Sequence, residues 1–274
     1  MKTIAGVQVQ VDGQGEDLII MVHGWPDSLE LWDAQVQALQ SHYRCARFTL
    51  PGYAAGDERR AYRLDEIVTI IDEVANALSP ARPVILLLHD WGCFFGYRYA
   101  ALHPERVAKI IGLDIGDAGS AAHRKELTPK AKMMAAGYQI WLAAAWRIGG
   151  ALGDRMTRYM AAKMRVPVEA SQLGAHLNYP YYIRWTGSHG SYRDVRPFEP
   201  AGPMLFVYGR KKLFMFHSQP WVDALNARPG SRAIGMDTGH WMMRSKPDQL
   251  NEHILSWLFG EQPDAMLSEA PPVA

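Results

Sequence analysis

Short apolar runs alternate with helix-length periodic segments along most of this chain. Residues Leu18–Val22 are all apolar and read as a short buried strand. Residues 32–39 show helical spacing, and 45–50 read as a second strand. Between Leu64 and Leu78, Ile67, Ile70, Ile71, Val74, Ala75 and Leu78 recur at helical intervals, which lines one face of a helix. The unbroken Val/Ile/Leu run over 84–88 is what a strand covered on both faces requires. Residues 92–102 predict a helix, and 107–113 and 204–208 predict strands. A weaker strand falls at 231–236, and an amphipathic helix at 249–259. Near the start, alternating Val7, Val9 and Val11 lead into Asp12-Gly13, which predicts the beginning of an antiparallel hairpin edge.

Strands and helices in this alternation predict an α/β architecture, with a mostly parallel central sheet and helices on both faces. The alternation breaks over 119–200. That stretch carries helix-like runs at 130–148, 156–164 and 170–185, rich in Ala, Met, Trp and Tyr, and no clear strand. An insertion of this size between two core strands is most simply a helical lid over the end of the sheet. The expected division is a core over 1–118, a lid over 119–200, the rest of the core over 201–260, and a flexible tail over 261–274. Met133, Met134, Met156, Met160 and Met164 are expected to pack the lid onto the core and to line an adaptable pocket.

Composition narrows the function without naming it. A chain of 274 residues can bury one large core plus an insertion. A formal net charge of +1 gives no electrostatic footprint for nucleic acid or an anionic membrane. The basic pair Lys211-Lys212 reads as a solvated loop. Two cysteines, Cys45 and Cys93, make neither a disulfide framework nor a metal cluster. The N-terminal residues lack a signal-like apolar stretch, and no run approaches the ~20 apolar residues of a membrane span. A cytoplasmic protein without cofactor or metal is expected.

Three segments carry chemistry. The first is Leu88-His89-Asp90-Trp91-Gly92, where an acid directly follows a buried strand and precedes a helix. A carboxylate on that tight turn lies beyond the carboxyl end of the strand, beside a helix N-terminus that favours anions. The bland alternative is a helix-capping aspartate. The second is His23-Gly24-Trp25-Pro26, directly after the strand Leu18–Val22. Its glycine lets the backbone bend, so that the Trp25 amide and the Trp91 amide together offer two donors to a developing negative charge. The third is Thr238-Gly239-His240-Trp241, after the last strand. The chain has ten histidines, so position and not composition singles out His240.

Nucleophile after a central strand and histidine near the end is the order of the α/β-hydrolase fold. Asp90 stands where the usual G-x-S-x-G elbow has serine, and Leu88 stands where it has its first glycine. That leucine is expected to bend the elbow slightly. Ser28, Ser188 and Ser218 lie off the strand-to-helix turn, which argues against a serine esterase.

With these motifs, and with Pro51-Gly52-Tyr53 after the second core strand, the chain resembles the epoxide hydrolase and haloalkane or haloacetate dehalogenase branch of the α/β hydrolases. The resemblance spans about 18–258 and is weak in the lid. It implies a catalytic triad in which Asp90 is the nucleophile and His240 the base. An aspartate is already ionised near neutral pH and attacks an sp3 carbon directly, leaving an alkyl ester. His240 then activates water, and the Trp25 and Trp91 amides hold the oxyanion. In many epoxide hydrolases the acid that orients the histidine follows the strand after the lid. Here that position reads Gly209-Arg210-Lys211-Lys212-Leu213-Phe214, with no acid. Asp114, at the end of the strand 107–113, takes the role as acids there do in the dehalogenases, with Asp117 as the alternative.

The leaving group decides the substrate class. The lid segment 177–185 resembles the one that carries a proton-donating tyrosine in epoxide hydrolases. Tyr181 or Tyr182 is the expected donor, and Tyr138 a second one. Trp25, Trp91 and Trp141 are expected to wall an apolar pocket. The substrate is then a small apolar organic molecule, with water as co-substrate, and epoxide hydrolysis to a diol is the first reading. A haloalkane or haloacetate dehalogenase is the alternative. Trp91 resembles the haloalkane dehalogenases, but those usually have Asn where Trp25 stands, and fluoroacetate dehalogenases usually have Arg where Trp91 stands. A non-catalytic ligand-binding member of the fold is the third reading, and it would not need Asp90, Asp114 and His240 together. A homodimer is left open.

Overall fold

Alternate residues of the central strands point to opposite sides of the sheet, and both sides are covered. Leu18, Ile20, Val22, Leu86 and Leu88 enter one apolar cluster, whereas Ile19, Met21, Ile85 and Leu87 enter another. This two-sided burial is why these strands read as unbroken apolar runs. The structure, a computed structural model, describes residues 1–54, 56–192, 195 and 197–260. The tail expected over 261–274 lies outside the described residues.

The chain begins with strands β1 (Lys2–Ile4), β2 (Val7–Asp12) and β3 (Leu18–Val22), then helix α1 (Asp33–Leu39) and strand β4 (Arg44–Phe48). Helix α2 (Leu64–Leu78), β5 (Val84–His89), α3 (Trp91–Leu102) and β6 (Val107–Leu113) follow. Next come four helices, α4 (Ala121–Glu126), α5 (Pro129–Ile148), α6 (Gly150–Met164) and α7 (Tyr179–Thr186). The chain closes with β7 (Met204–Gly209), α8 (Gln219–Asn226), β8 (Arg232–Met236), α9 (Met242–Ser245) and α10 (Pro247–Phe259). The eight strands form one sheet in the order β1-β2-β4-β3-β5-β6-β7-β8. Strands β3 to β8 run parallel, and β1 and β2 are antiparallel at one edge. Helices α2 and α3 cover one face, and α1, α9 and α10 the other.

The edge hairpin differs from the sequence expectation. Its turn is Ala5-Gly6, between paired Ile4 and Val7, and not Asp12-Gly13. Both turn residues have positive φ (49° and 78°), the two-residue geometry that matches the twist of paired strands. Alanine is an uncommon first residue for such a turn, which is why the Asp-Gly pair attracted the prediction.

Between β6 and β7 the described residues form helices and short helical turns, with no strand over 119–200. Thr128 caps α5 by accepting from the Ala131 amide, with Pro129 in the first turn. Gly149 and Gly150, both at positive φ, let the chain reverse from α5 into α6. Helix α5 packs against both α6 and α7. Met160 and Met164 rest against the core cluster as expected, but Met133 is 71% exposed and packs nothing down. Trp141 also lies on the outside, donating its indole N–H to the Met156 carbonyl, and so does not wall a pocket. Among the described residues no helix is long and apolar enough to cross a membrane.

Candidate active site

Asp90 sits between β5 and α3 with φ 52° and ψ −123°, a conformation that costs a non-glycine residue roughly 1–3 kcal/mol. Two glycines let neighbouring backbone crowd in on it. A Cβ on Gly92 would lie 2.0 Å from the Val22 carbonyl oxygen, and one on Gly24 would lie 2.4 Å from both the Asp90 carboxylate and the Trp91 nitrogen. Leu88 does not bend this elbow as expected. It keeps its ladder positions opposite Val22 and Gly112, and Gly96 on α3 provides its space. A Cβ on Gly96 would come within 2.4 Å of the Leu88 side chain. The small residue that the motif lacks in the strand is supplied by the facing helix.

The two oxygens of Asp90 have different surroundings. The Trp25 amide donates to Oδ1 at 2.7 Å, and the backbone of Trp91 helps to lower the carboxyl. Oδ2 instead faces His240, whose Nε2 lies 3.5 Å away. Burial pushes the Asp90 carboxyl up, but the hydrogen bond and charge of His240 outweigh it, and the group lies below the usual carboxylate range. His23 stabilises the loop that carries the Trp25 amide. Its Nδ1 donates to the Gly24 carbonyl and its Nε2 accepts from the Leu50 amide at 2.9 Å. Burial lowers it to about 4, so it is neutral and can fill both roles.

Behind His240 stands Asp114, fully buried at the end of β6. Its Oδ2 lies 2.5 Å from His240 Nδ1. Its Oδ1 accepts from the Gly209 amide at 3.0 Å and from the Lys212 ammonium. Burial opposes the charge of His240, but Asp114 and then Asp90 outweigh it and raise the imidazole to about 9. Burial likewise opposes the charge of Asp114, yet Lys212 and His240 hold its carboxyl well below the usual range. The His89 ring lies 4.4 Å from the His240 ring, and its Nε2 donates to the His240 carbonyl. Burial lowers His89 to about 3, so it adds no charge. The Trp241 indole donates to Asp27 at 2.9 Å, tying the histidine loop to the loop after β3.

Asp117, the alternative acid, is committed elsewhere. It accepts from the Ser218 amide, the Ser218 hydroxyl and the Ser120 hydroxyl, joining the start of the helical segment to the N-terminus of α8. Lys212 reverses the expectation of a solvated basic pair. Lys211 does sit in solvent, paired with Asp237, but the Lys212 side chain is 8% exposed and pairs with Asp114. The available signal was its place on the loop after β7, which runs beside the loop that carries His240.

The tyrosines separate into two groups. Tyr181 is buried, with its ring edge-on to Trp25 (5.8 Å) and Trp91 (5.2 Å) and 6.0 Å from Tyr138. Burial, and then the charge of Asp90, hold its phenol well above the ordinary value. Burial pushes Tyr138 up to about 12, and Gln139 donates to its hydroxyl. Tyr182, about 100° further round α7, stacks on Trp146 at 4.3 Å and points away from this group. Sequence reasoning did not single out Asn178, which accepts from the Trp25 indole and donates to Thr157 of α6. Nor did it find Tyr179 and Tyr192, which with Tyr53 have buried hydroxyls lacking hydrogen-bond partners among the described residues.

The chain is similar to known proteins in both sequence and fold. Residues 17–148 match the alpha/beta hydrolase fold family. Human epoxide hydrolase 4 is 23% identical over 269 residues, covering 90% of this chain and 73% of that protein. Epoxide hydrolase B of Mycobacterium tuberculosis is 30% identical over 141 residues, covering 50% of this chain and 39% of that protein. Among solved structures, an epoxide hydrolase from Bacillus megaterium bound to an inhibitor superposes with a TM-score of 0.69 at 20% identity. That match covers 93% of this chain and 98% of the other. Fold and sequence similarity together define the class: the chain has the α/β-hydrolase fold. Within the class, its similarity is to the epoxide hydrolases.

Proposed function

We propose that this chain hydrolyses an epoxide to a diol through an ester formed on Asp90. The observation that carries the reading is the unequal setting of the Asp90 oxygens. Oδ1 is held by the Trp25 amide, and Oδ2 is turned toward His240. Oδ2 attacks an epoxide carbon, the carbon–oxygen bond breaks, and its electron pair goes to the epoxide oxygen. That oxygen takes the phenol proton of Tyr181, with Tyr138 as a second donor. His240, protonated in the resting enzyme, returns a proton to the tyrosinate and becomes the neutral base. It then removes a proton from water as the water attacks the ester carbonyl. The oxyanion forms on Oδ1, which already accepts from the Trp25 amide, with the Trp91 amide as the second donor. Collapse expels the diol oxygen, which is protonated by His240. The Asp90 acid that remains passes its proton back to the imidazole. Asp114 orients the ring throughout, and the helical segment over 119–200 acts as the lid that brings the tyrosines over the nucleophile.

Dehalogenation is the second reading, favoured by the place of Asp114 at the end of β6. A halide needs N–H donors and no proton. The Trp25 indole is already occupied by Asn178, and Tyr181 packs edge-on to Trp91, which favours the epoxide. The test is a panel of styrene oxide, a haloalkane, a haloacetate and an aryl ester, scored for diol, halide or acid release with the wild type and with Tyr181→Phe. Wild type releases diol from styrene oxide, and Tyr181→Phe lowers that rate by about 10²-fold. Halide or acid release without diol formation would refute the assignment.

A further inference from the structure

We infer that Lys212 is a positioning residue that times the base: its buried ion pair with Asp114 leaves His240 free to give up its proton once Asp90 has become an ester. The inference rests on the ester mechanism proposed above. Its geometric basis is the division of the Asp114 carboxylate, with Oδ2 on His240 and Oδ1 on Lys212 and the Gly209 amide. Both charged partners are removed from solvent, Asp114 completely and Lys212 nearly so. A buried cation this close interacts with its carboxylate through little screening solvent.

Counting the charges around His240 gives the consequence. Asp90 and His89 face it from the end of β5, and Asp114 from the end of β6. Lys212 stands on the loop after β7. Asp27 approaches from the loop after β3, raised to about 6 by burial, with Arg244 of α9 beyond it. His217, lowered to about 4 by burial, is neutral beside Lys212. In the resting site Asp27, largely ionised at neutral pH, is set against Arg244, and the carboxylates Asp90 and Asp114 balance the cations Lys212 and protonated His240. Ester formation removes the Asp90 charge. Asp114 is then already matched by Lys212, and an imidazolium would be an uncompensated buried cation, which burial disfavours. Without Lys212, Asp114 would be matched only by the proton on His240, and the base would stay occupied when it is needed.

The test has a readout independent of any substrate. Asp90→Asn removes the charge that the ester removes, and in that background the His240 ring is titrated by NMR in isotopically labelled protein, assigned by its loss in His240→Gln. Lys212→Met and Lys212→Gln, the latter retaining a hydrogen-bond donor, each raise the His240 pKa by about one unit or more. Lys212→Arg keeps it near the reference value. An unmoved pKa in folded Lys212→Gln overturns the inference. With Asp90 intact and styrene oxide as probe, rapid quench separates the two half-reactions. Lys212→Met slows ester hydrolysis at neutral pH by about tenfold or more and leaves ester formation little changed. Equal slowing of both steps also overturns the inference. If the wild type forms no ester on Asp90, the catalytic scheme fails, while the titration still reports separately on Lys212.

Discussion

Asp90→Ala abolishes diol formation, lowering kcat/KM by ~10⁴-fold or more, and leaves a folded protein. The loss follows from the role of Oδ2, since the other two acids weighed for the site are committed elsewhere. Asp114 lies behind His240 and Asp117 is spent on Ser120 and Ser218. Folding survives because the elbow is held by packing, with Gly92 against the Val22 carbonyl and Leu88 against Gly96. Removing a buried charge also removes its desolvation cost. Diol release and urea unfolding, measured on the same preparation, check both halves. Turnover within about tenfold of wild type, well inside the effect of losing a nucleophile, would mean that another group attacks.

His240→Gln stops the reaction halfway. Attack by Asp90 needs no base, because the carboxylate is ionised and held below its ordinary range. Hydrolysis of the ester does need one, and glutamine cannot accept the water proton. The variant therefore accumulates the alkyl-enzyme, with hydrolysis slowed by about 10³-fold. Peptide mass spectrometry after exposure to styrene oxide reads the adduct as a mass increase on the peptide containing Asp90. The same assignment sets the sign of the pH dependence. While Asp90 is charged, the imidazole is raised to about 9 and is protonated at neutral pH. Esterification removes one of the charges that raise it, so its pKa falls in the intermediate. The hydrolysis rate climbs as pH rises through that lower value and then levels. Ester formation follows the Asp90 carboxylate instead and declines as pH falls through its depressed pKa. Rapid-quench pH profiles of the two steps therefore rise at different pH, with ester formation on the acid side.

Much of the fold was legible where burial is two-sided or strictly periodic. The bounds of β3, α2 and β6 coincide with the apolar patterns read from the chain. Strand position brought Asp90 and His240 forward, the first directly after β5 and the second on the loop after β8, and with the resemblance it brought Asp114 at the end of β6, because parallel strands deliver their carboxyl ends to one edge. What escaped depends on contacts between residues far apart in sequence. Leu88 appeared to crowd the elbow because its partner, Gly96, lies on the facing helix and carries no local signal. Lys212 looked solvated beside Lys211, although one side chain meets Asp237 at the surface and the other meets Asp114 in the interior. Tyr181 and Tyr182 are equivalent by composition, and only the rotation of α7 decides which ring meets Trp91. Met133 and Trp141 belong to a helix whose apolar residues do not confine themselves to one stripe, so their exposure could not be read from spacing.

The most direct test of the central claim follows one oxygen atom. A single turnover of styrene oxide, with enzyme in excess, is run in water enriched in oxygen-18. If water attacks the carbonyl carbon of an Asp90 ester, the heavy atom enters the Asp90 carboxylate, and the first diol released carries none of it. Label in that first diol, with none in the peptide that holds Asp90, would mean that water strikes the epoxide directly and that no ester forms.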